Sequence, residues 1–392
     1  MIPGKELTKS QIYAVLSQRL ALDINTTQYP ATLQGPLELM HTLHEQVANH
    51  MRVCVAVGSG IETLYAVASS EPILSEAASY IIRKTPSFSM AKALTHVLSG
   101  FCINQGDRGE LLVAALFTCA HDEVVRHKVF HSSDQICHSF SVVELFQGLF
   151  SSSTSAEWAG ARPSLCHSKH DQLPFEKAFE TAYMHFNHFI KPQEQRVLDR
   201  RYLLLYLARG AAALGANCQP GFDAIYPFIY GDTELVRNRV GFVIVQVKND
   251  SNPHRPILDV FPGMDPFVCR LISDTDLEDG RFPIPIIRLL FLLAHPTANI
   301  ERKEYDLPSH GASSIHLGAD GLPRFTSYDF VCRGISPDVF RPVDGSSDIW
   351  SALINKSQWT SLYAGPYPDI VRAQLPGWGL NEGHWASWAE DT

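Results

Sequence analysis

The sequence lacks the features that mark secreted, membrane and zinc-ribbon proteins. Its eight cysteines are scattered over 392 residues and include no C-x-x-C pair, which argues against a disulfide scaffold. No uncharged apolar run reaches the roughly 18 residues that a transmembrane helix needs. Charges in the first 20 residues also interrupt the apolar stretch that a signal peptide requires. The sequence therefore predicts an intracellular protein with reduced thiols and no membrane partner.

An excess of basic charge is also missing. The formal net charge is −9, which argues against wholesale coating of nucleic acid or of an anionic membrane, although a local basic groove remains open. No G-x-x-x-x-G-K-[ST] loop occurs, so we expect no ATPase activity. The length and the 45% hydrophobic content are enough for a large core in two or three domains.

Residues 1–100 combine helical patterns with one hairpin pattern. Thr8 or Ser10 is a candidate cap for a helix that ends at Leu20. Two β-branched runs then surround the Gly-Ser-Gly at 58–60, which is typical of a hairpin turn. Ser70 and Pro72 would begin the next helix. The pattern fits a winged-helix-like unit or an ordinary α+β unit, and both alternatives stay open.

The following region, 101–345, has the character of a mixed α/β domain. Its first helix is "RGELLVAALF", with Glu110 in the first turn, where a carboxylate favours the positive end of the helix. The Ser-rich stretch 151–174 is expected to be a surface loop or insertion, and a short helix is expected at 265–273. Residues 346–392 would form a tail packed on the core, anchored by three tryptophans, Trp378, Trp385 and Trp388.

Two apolar segments carry the residues with the strongest chemical pattern. Asp223 lies near the start of the segment 219–232, while Gln246 and Lys248 end "VGFVIVQVKN". The second run does not alternate with polar residues, which is typical of a strand covered on both faces. If the two segments pair as a hairpin, the aspartate, the glutamine and the lysine meet at one end of the sheet.

This arrangement resembles the PD-(D/E)xK, or restriction-endonuclease-like, superfamily. The variant with glutamine in place of the second acid is present here as Gln246-Val247-Lys248. Residues 108–345 also resemble the fungal group of these domains that occurs in Crinkler-type effectors and mobile-element proteins. The resemblance implies a mixed central sheet flanked by helices, with the core order helix, three strands, helix, fourth strand.

The resemblance also implies the roles of individual residues. Asp223, the carbonyl of Val247 and, from the first helix, Glu110 would bind Mg²⁺ or Mn²⁺, and Gln246 would orient the water bound to that metal. Lys248 would stabilise charge at the scissile phosphate. Three other acids compete with Glu110 for the helical position, namely Glu176, Glu180 and Glu194.

The expected function is therefore metal-dependent hydrolysis of phosphodiester bonds, with DNA as the partner and the nucleus as a compatible location. Because Gln246 is neutral, the main alternative is a catalytically degenerate module that binds nucleic acid or a protein; a decayed mobile-element remnant is a third. A dimer is left open. The candidate phosphate-binding arginines are Arg196, Arg200, Arg201 and Arg209, with Arg237 and Arg239 at the turn between the two strands.

Overall fold

A computed structural model describes most of residues 6–355, with gaps. The described ranges are 6–22, 24–25, 44–50, 52–57, 64–68, 71–98, 105–129, 139–168, 172–192, 198–216, 221–231, 234–248, 260–273, 276, 284–305 and 322–355. Within these ranges, no helix has the length and apolar character needed to cross a bilayer.

Helices and strands alternate along most of the chain. The helices are α1 (Lys9–Leu20), α2 (Pro72–Arg83), α3 (Met90–Leu98), α4 (Gln105–Val129), α5 (Val142–Leu149), α6 (Ser155–Ala159), α7 (Phe175–Ala178), α8 (Arg200–Ala208), α9 (Val260–Gly263) and α10 (Ser347–Asn355). The strands are β1 (Ile24–Asn25), β2 (Arg52–Val57), β3 (Leu64–Ala68), β4 (Phe140–Ser141), β5 (Ala182–Met184), β6 (His188–Ile190), β7 (Ala211–Leu214), β8 (Ala224–Tyr230), β9 (Val240–Val247), β10 (Ile286–Leu292), β11 (Asn299–Arg302) and β12 (Ser327–Arg333).

Nine of the strands form one open, mixed sheet in the order β11-β12-β10-β9-β8-β5-β4, with β7 also paired to β8 and β6 to β7. Strands β9, β10 and β12 are parallel to one another, whereas β8 is antiparallel to β9. Helices flank this sheet, so the prediction of a mixed α/β fold is confirmed.

The hairpin of β8 and β9 forms as predicted. Pairs run from Ala224 with Val245 to Ile229 with Val240, and every residue of β9 is buried. Side chains alternate between the two faces of a strand, and both faces are covered here. The non-alternating apolar run is explained by this double coverage.

Each face of the sheet packs against its own set of helices. On the first face, which we call the α4 face, Ala224, Tyr226 and Phe228 contact the core that α4 contributes to. Tyr226 stacks on Phe117 of α4 with ring centroids 4.1 Å apart. On the second face, the α8 face, Ile225 and other side chains of β8 and β9 contact Leu203 of α8. Helix α4 is thereby fixed alongside β8.

The N-terminal residues share the core of the α/β region. Tyr13 of α1 and Leu94 of α3 belong to the same buried cluster as the α4 face of the sheet, so the core continues across the predicted boundary at residue 100. Thr8 caps α1 in a capping box with Gln11. Strands β2 and β3 pair as the predicted hairpin, and its turn at 58–60 lies outside the described residues.

A buried polar junction holds α1 and α2 against α4. The guanidinium of Arg19 donates to both carboxylate oxygens of Asp122, at 2.9 and 3.0 Å, and to the backbone oxygen of Asn187. Ser79 donates its hydroxyl to Asp122 at 3.0 Å, and Asn187 donates its amide to Glu76 at 3.0 Å. A buried ion pair needs such additional hydrogen bonds to offset the cost of removing its charges from water.

Several segments differ from the sequence predictions. The stretch 151–174 is not simply a surface loop, because it contains α6 and buries Trp158 and Leu165, each 2% exposed. The helix expected at 265–273 is wrong: these residues form turns, in which the carboxylate of Asp265 accepts from the backbone N–H of Phe267 at 2.8 Å. Helix α2 begins at Pro72 with Glu71, rather than Ser70, at its N-cap.

Of the predicted C-terminal tail, the structure describes 346–355. They include the whole of α10 (Ser347–Asn355), whose Trp350 is 1% exposed in the main core. The three tryptophans that were expected to anchor the tail, Trp378, Trp385 and Trp388, lie outside the described residues.

Candidate active site

Asp223 lies directly beside the end of β9. Since Ala224 pairs with Val245, the preceding residue comes opposite Gln246, and the N–H of Asp223 donates to the oxygen of Val245 at 2.8 Å. The side-chain amide of Gln246 donates to Oδ2 of Asp223 at 2.6 Å, and the backbone N–H of Val247 donates to the same oxygen. Within the described chain, Oδ1 of Asp223 has no hydrogen-bond partner. One carboxylate oxygen is therefore held and the other is open.

Lys248 follows immediately and is held at its backbone by the neighbouring parallel strand. Its N–H donates to the oxygen of Phe291 on β10 at 2.8 Å. Lys248 is two residues after Gln246, so both side chains belong to the same face of β9. Burial raises the pKa of the Asp223 carboxyl, and the ammonium charge of Lys248 opposes that rise. Its Nζ makes no hydrogen bond or ion pair with any residue in the described ranges.

Glu110 reaches the same place from α4. Seven residues separate Glu110 from Phe117, a rise of about 10 Å along a helix. Three residues separate Asp223 from Tyr226, also about 10 Å along a strand. Phe117 and Tyr226 stack on each other, and the charge of Asp223 acts on Glu110, so the two acids lie at the same end of the sheet. We call this end, where β8 begins and β9 ends, the Asp223 end.

The electrostatics show that the two acids act on each other. Burial, the charge of Asp223 and the charge of Asp107 together raise the pKa of Glu110 to about 7, although Lys191 and Lys248 oppose the shift. Burial also raises the pKa of Asp223, partly offset by its bond from Val247 and by Lys248. Partly buried carboxylates that repel each other are stabilised in their charged form by a cation.

Two charged residues of this cluster escaped the sequence analysis. Asp107 lies three residues before Glu110, one turn earlier on the same helix. Lys191 comes directly after β6, just as Lys248 comes directly after β9. A lysine directly after a strand is the same pattern that Lys248 shows. It could not be recognised at Lys191, because β6 is three residues long and the sequence of its segment fits a helix as well as a strand.

The candidate arginines of α8 lie away from the Asp223 end. Arg200 is 6% exposed, and burial lowers the pKa of its guanidinium, which lies near the charges of Asp276 and Arg237. Arg237 belongs to the turn between β8 and β9, at the opposite end of the hairpin. Arg201 is exposed but pairs with Asp199 at 2.9 Å. Arg200 therefore cannot contact a phosphate in this conformation, because its side chain is inside the protein.

Two further candidate arginines, Arg209 and Arg239, also lie away from the Asp223 end. The charge of Arg209 acts on His188, at the start of β6 and so at the other end of that strand from Lys191. Arg239 lies in the turn between β8 and β9, opposite the Asp223 end, as expected. Arg196 lies outside the described residues.

The acids that compete with Glu110 are not placed at the site. Glu176 is in α7 and Glu180 forms an ion pair with Lys177. Both precede β5, whose Ala182 pairs with the last residue of β8, so they lie at the end of the sheet opposite Asp223. Glu194 lies outside the described residues. Among the described alternatives, Glu110 is the acid from a helix that comes near Asp223.

The donor set for a metal ion is small. No group of three or more His, Cys, Asp or Glu side chains in the described residues is arranged to hold an ion. The oxygens that lie at the Asp223 end are the open Oδ1 of Asp223, the carboxylate of Glu110 and the backbone carbonyl of Val247. Oxygen ligands of this kind suit Mg²⁺ or Mn²⁺, which complete their coordination with water.

Comparison with protein-family models, with curated proteins and with solved structures gives no match for this chain.

Replacing Glu110 with glutamine is expected to change how stability depends on pH. The folded pKa of about 7 lies above the ordinary 4.5, so the unfolded state ionises first and the wild type loses stability as the pH rises from 4.5 to 7. The variant lacks this loss, so its free energy of unfolding rises relative to that of the wild type between pH 4.5 and 7. Because Glu110 is partly exposed, we expect a gain on the order of 1 kcal/mol.

Urea denaturation of Glu110→Gln and wild type at pH 4.5 and 8 measures this gain. Glu123→Gln, which lies thirteen residues further along α4 and pairs with Arg126 at the surface, is the control for replacing a glutamate of this helix. A difference between Glu110→Gln and wild type that stays constant with pH would contradict the placement of Glu110 beside Asp223.

Proposed function

We propose that the protein is a divalent-metal-dependent nuclease that hydrolyses phosphodiester bonds, with DNA as its substrate. The observation that carries the proposal is the convergence of Asp223, Gln246, Val247 and Lys248 at the end of one hairpin, next to Glu110 of α4. Phosphodiester hydrolysis requires carboxylate oxygens for a metal ion and a cationic group near the scissile phosphate. The Asp223 end supplies both kinds of group.

The strand topology supports the same proposal. Strand β7 is antiparallel to β8, β8 to β9, and β10 returns parallel to β9 after the segment 249–285. Helix α4 precedes these strands in the chain. This succession is similar to the helix, three strands and fourth strand of the restriction-endonuclease-like core. The second helix of that core, which follows the third strand, is represented among the described residues by the one-turn α9.

The residues present fit a magnesium or manganese ion. Asp223 would bind through its open Oδ1, Glu110 through its carboxylate and Val247 through its backbone carbonyl. A bound divalent ion would lower the pKa of a coordinated water and neutralise charge on the phosphate. Burial and then the charge of Asp223 raise the pKa of Glu110, and such an ion would relieve the repulsion between the two carboxylates.

Gln246 and Lys248 would have different roles. The amide of Gln246 donates to Asp223, so it would hold that carboxylate in one orientation; the water-orienting role expected from the sequence stays a prediction. The ammonium of Lys248 would stabilise negative charge on the phosphate as the bond breaks. Asp223 and Lys248 are held at the ends of two neighbouring strands, which fixes both groups before the substrate arrives.

Cleavage of plasmid and of single-stranded DNA in Mn²⁺ tests the proposal. Wild type is expected to cut at least one substrate, and Lys248→Ala is expected to reduce the rate about 100-fold or more, because it removes a charge aligned with the transition state. Lys177→Ala, which removes a lysine at the opposite end of the sheet, should cut like wild type. If wild type leaves every substrate intact, the nuclease proposal is wrong.

A second candidate is a degenerate module that binds nucleic acid or a protein without cutting. The observation that favours it is the small donor set: Gln246 stands where a second acid would be, and no three acidic or histidine side chains of the described chain form an ion site. DNA binding without cleavage and without metal affinity would select this candidate. A winged-helix-like role for residues 1–100, a nuclear location and a dimer stay predictions.

A further inference from the structure

We infer that Lys191 is a phosphate-binding residue, and that a nucleic-acid strand lies across the Asp223 end between Lys248 and Lys191. The inference rests on the proposal that the partner is a nucleic acid, but not on its being cut. It assigns a contact that neither the sequence pattern nor the resemblance includes.

Strand register places Lys191 at the Asp223 end. Ile190 pairs with Ala213 on β7, Ala213 pairs with Ile225 on β8, and Ile225 pairs with Ile244 on β9. The residue after Ile190 is therefore level with Leu214 and Ala224, one position from Asp223. Two strand spacings, about 10 Å, separate the backbone of Lys191 from that of β8.

The same register gives the face to which Lys191 belongs. Residues directly opposite each other on paired strands share a face. Leu214 packs on the α4 face and Ala224 is buried in it, so Lys191 is on the α4 face, where Glu110 lies. The charge of Lys191 does act on Glu110, where it opposes the rise in the pKa of that carboxyl caused by burial and by Asp223. Register and charge thus place the lysine beside the first turns of α4.

The two lysines flank the acids at a spacing suited to an extended polyanion. Lys191 and Lys248 are three strands apart and about three residues apart along the strands, so their backbones are roughly 17 Å apart. On duplex DNA that span covers about five phosphates of one strand, at roughly 3.4 Å of helix axis each. By the same alternation Lys248 belongs with Ile244 to the α8 face, so the nucleic-acid strand would cross the Asp223 end from that face to the α4 face. Lys191 is exposed, and its ammonium can reach a strand that passes over Glu110.

Binding of fluorescent single-stranded and duplex DNA oligonucleotides to the full chain tests this inference. Anisotropy would be measured at several salt concentrations, in EDTA and in Ca²⁺, for wild type, Lys191→Ala, Lys191→Arg and Lys177→Ala. Lys177 is a matched control because it is an exposed lysine at the opposite end of the sheet. The affinity for Mn²⁺ would be measured by calorimetry for each variant.

Lys191→Ala is expected to weaken DNA binding about fivefold or more and to reduce the slope of log affinity against log salt by about 1, because one phosphate contact is lost. Lys191→Arg should keep the slope, and Lys177→Ala should match wild type. A lysine that serves only the fold would not change the salt slope.

The outcomes separate the two proposals. If wild type binds DNA and Lys191→Ala has the same affinity and salt slope, the Lys191 inference is wrong and the nuclease proposal is untouched. If the slope falls as expected but no substrate is cut in Mn²⁺, the Lys191 contact holds and the nuclease proposal fails. If wild type binds no DNA under any of these conditions, both are wrong.

Discussion

Asp223→Ala is expected to abolish divalent-metal binding and to reduce DNA cleavage by a factor of about 1,000 or more. The variant removes the one carboxylate that is both open at Oδ1 and held in place at Oδ2 by Gln246 and Val247. Of the three proposed ligands, the Glu110 carboxylate and the Val247 carbonyl would then remain. Calorimetric titration with Mg²⁺ and Mn²⁺, followed by the cleavage assay, measures the two effects.

Folding must be separated from metal binding in this test. Removing Asp223 leaves the donors of Gln246 and Val247 without their acceptor, which costs about 1–3 kcal/mol for buried groups. Asp223→Asn keeps the shape and one acceptor oxygen, so it should fold more like wild type and still lose metal affinity, because its charge is gone.

Asp276→Asn is the matched control for this series. Asp276 is an aspartate that accepts from Arg237 at 3.2 Å, at the opposite end of the β8–β9 hairpin, so its variant should bind metal normally. Metal affinity that survives in both Asp223 variants would show that the ion, if any, binds elsewhere.

The strand pair that carries the site could be predicted because its signal is local. An apolar run without alternation indicates a strand buried on both faces, and two such segments joined by a short turn favour an antiparallel pair. Strand β9 is buried throughout, and the register that follows brings Asp223 next to Gln246. The convergence of these two residues thus depended on one hairpin, whose geometry follows from the sequence pattern.

The long-range parts of the structure could not be predicted in the same way. Lys191 reaches the site through β6 and β7, whose pairing joins short segments with no distinctive pattern. The helix expected at 265–273 is cut short to turns because Arg270 has a left-handed backbone conformation, with φ 60°, and the N–H of Leu271 donates to the oxygen of Pro266, a pattern that ends a helix. Arg19 and Asp122 are 103 positions apart, and nothing near either residue indicates the other.

The buried polar junction gives the largest expected effect on stability. Asp122 accepts from Arg19, Ser79 and His121 in the core, and Arg19 is 1% exposed. Asp122→Ala leaves the guanidinium buried without its counter-charge, which typically costs 3–5 kcal/mol. For a protein whose total stability is on the order of 5–15 kcal/mol, such a loss would lower the urea midpoint substantially.

Glu123→Gln is the control for the charge itself. Glu123 is the next residue on α4 and pairs at the surface with Arg126 at 2.9 Å, so its replacement should cost at most about 1 kcal/mol. The double variant Arg19→Met with Asp122→Leu should recover part of the loss, since removing both charges avoids an unpaired one. If Asp122→Ala and Glu123→Gln have the same stability, the junction does not hold α1 and α4 together.

The dependence on pH gives this prediction a second measurement. Burial would raise the pKa of Asp122, but the Arg19 guanidinium and the bond from His121 outweigh it and hold that pKa well below its ordinary 3.8. A depressed pKa contributes stability that is complete above the ordinary value and is lost as the pH falls through the folded value. The stability difference between wild type and Asp122→Asn should therefore be constant above about pH 5 and shrink below pH 4. A difference that instead grew on acidification would require Asp122 to be unpaired, which is contrary to its contacts with Arg19 and Ser79.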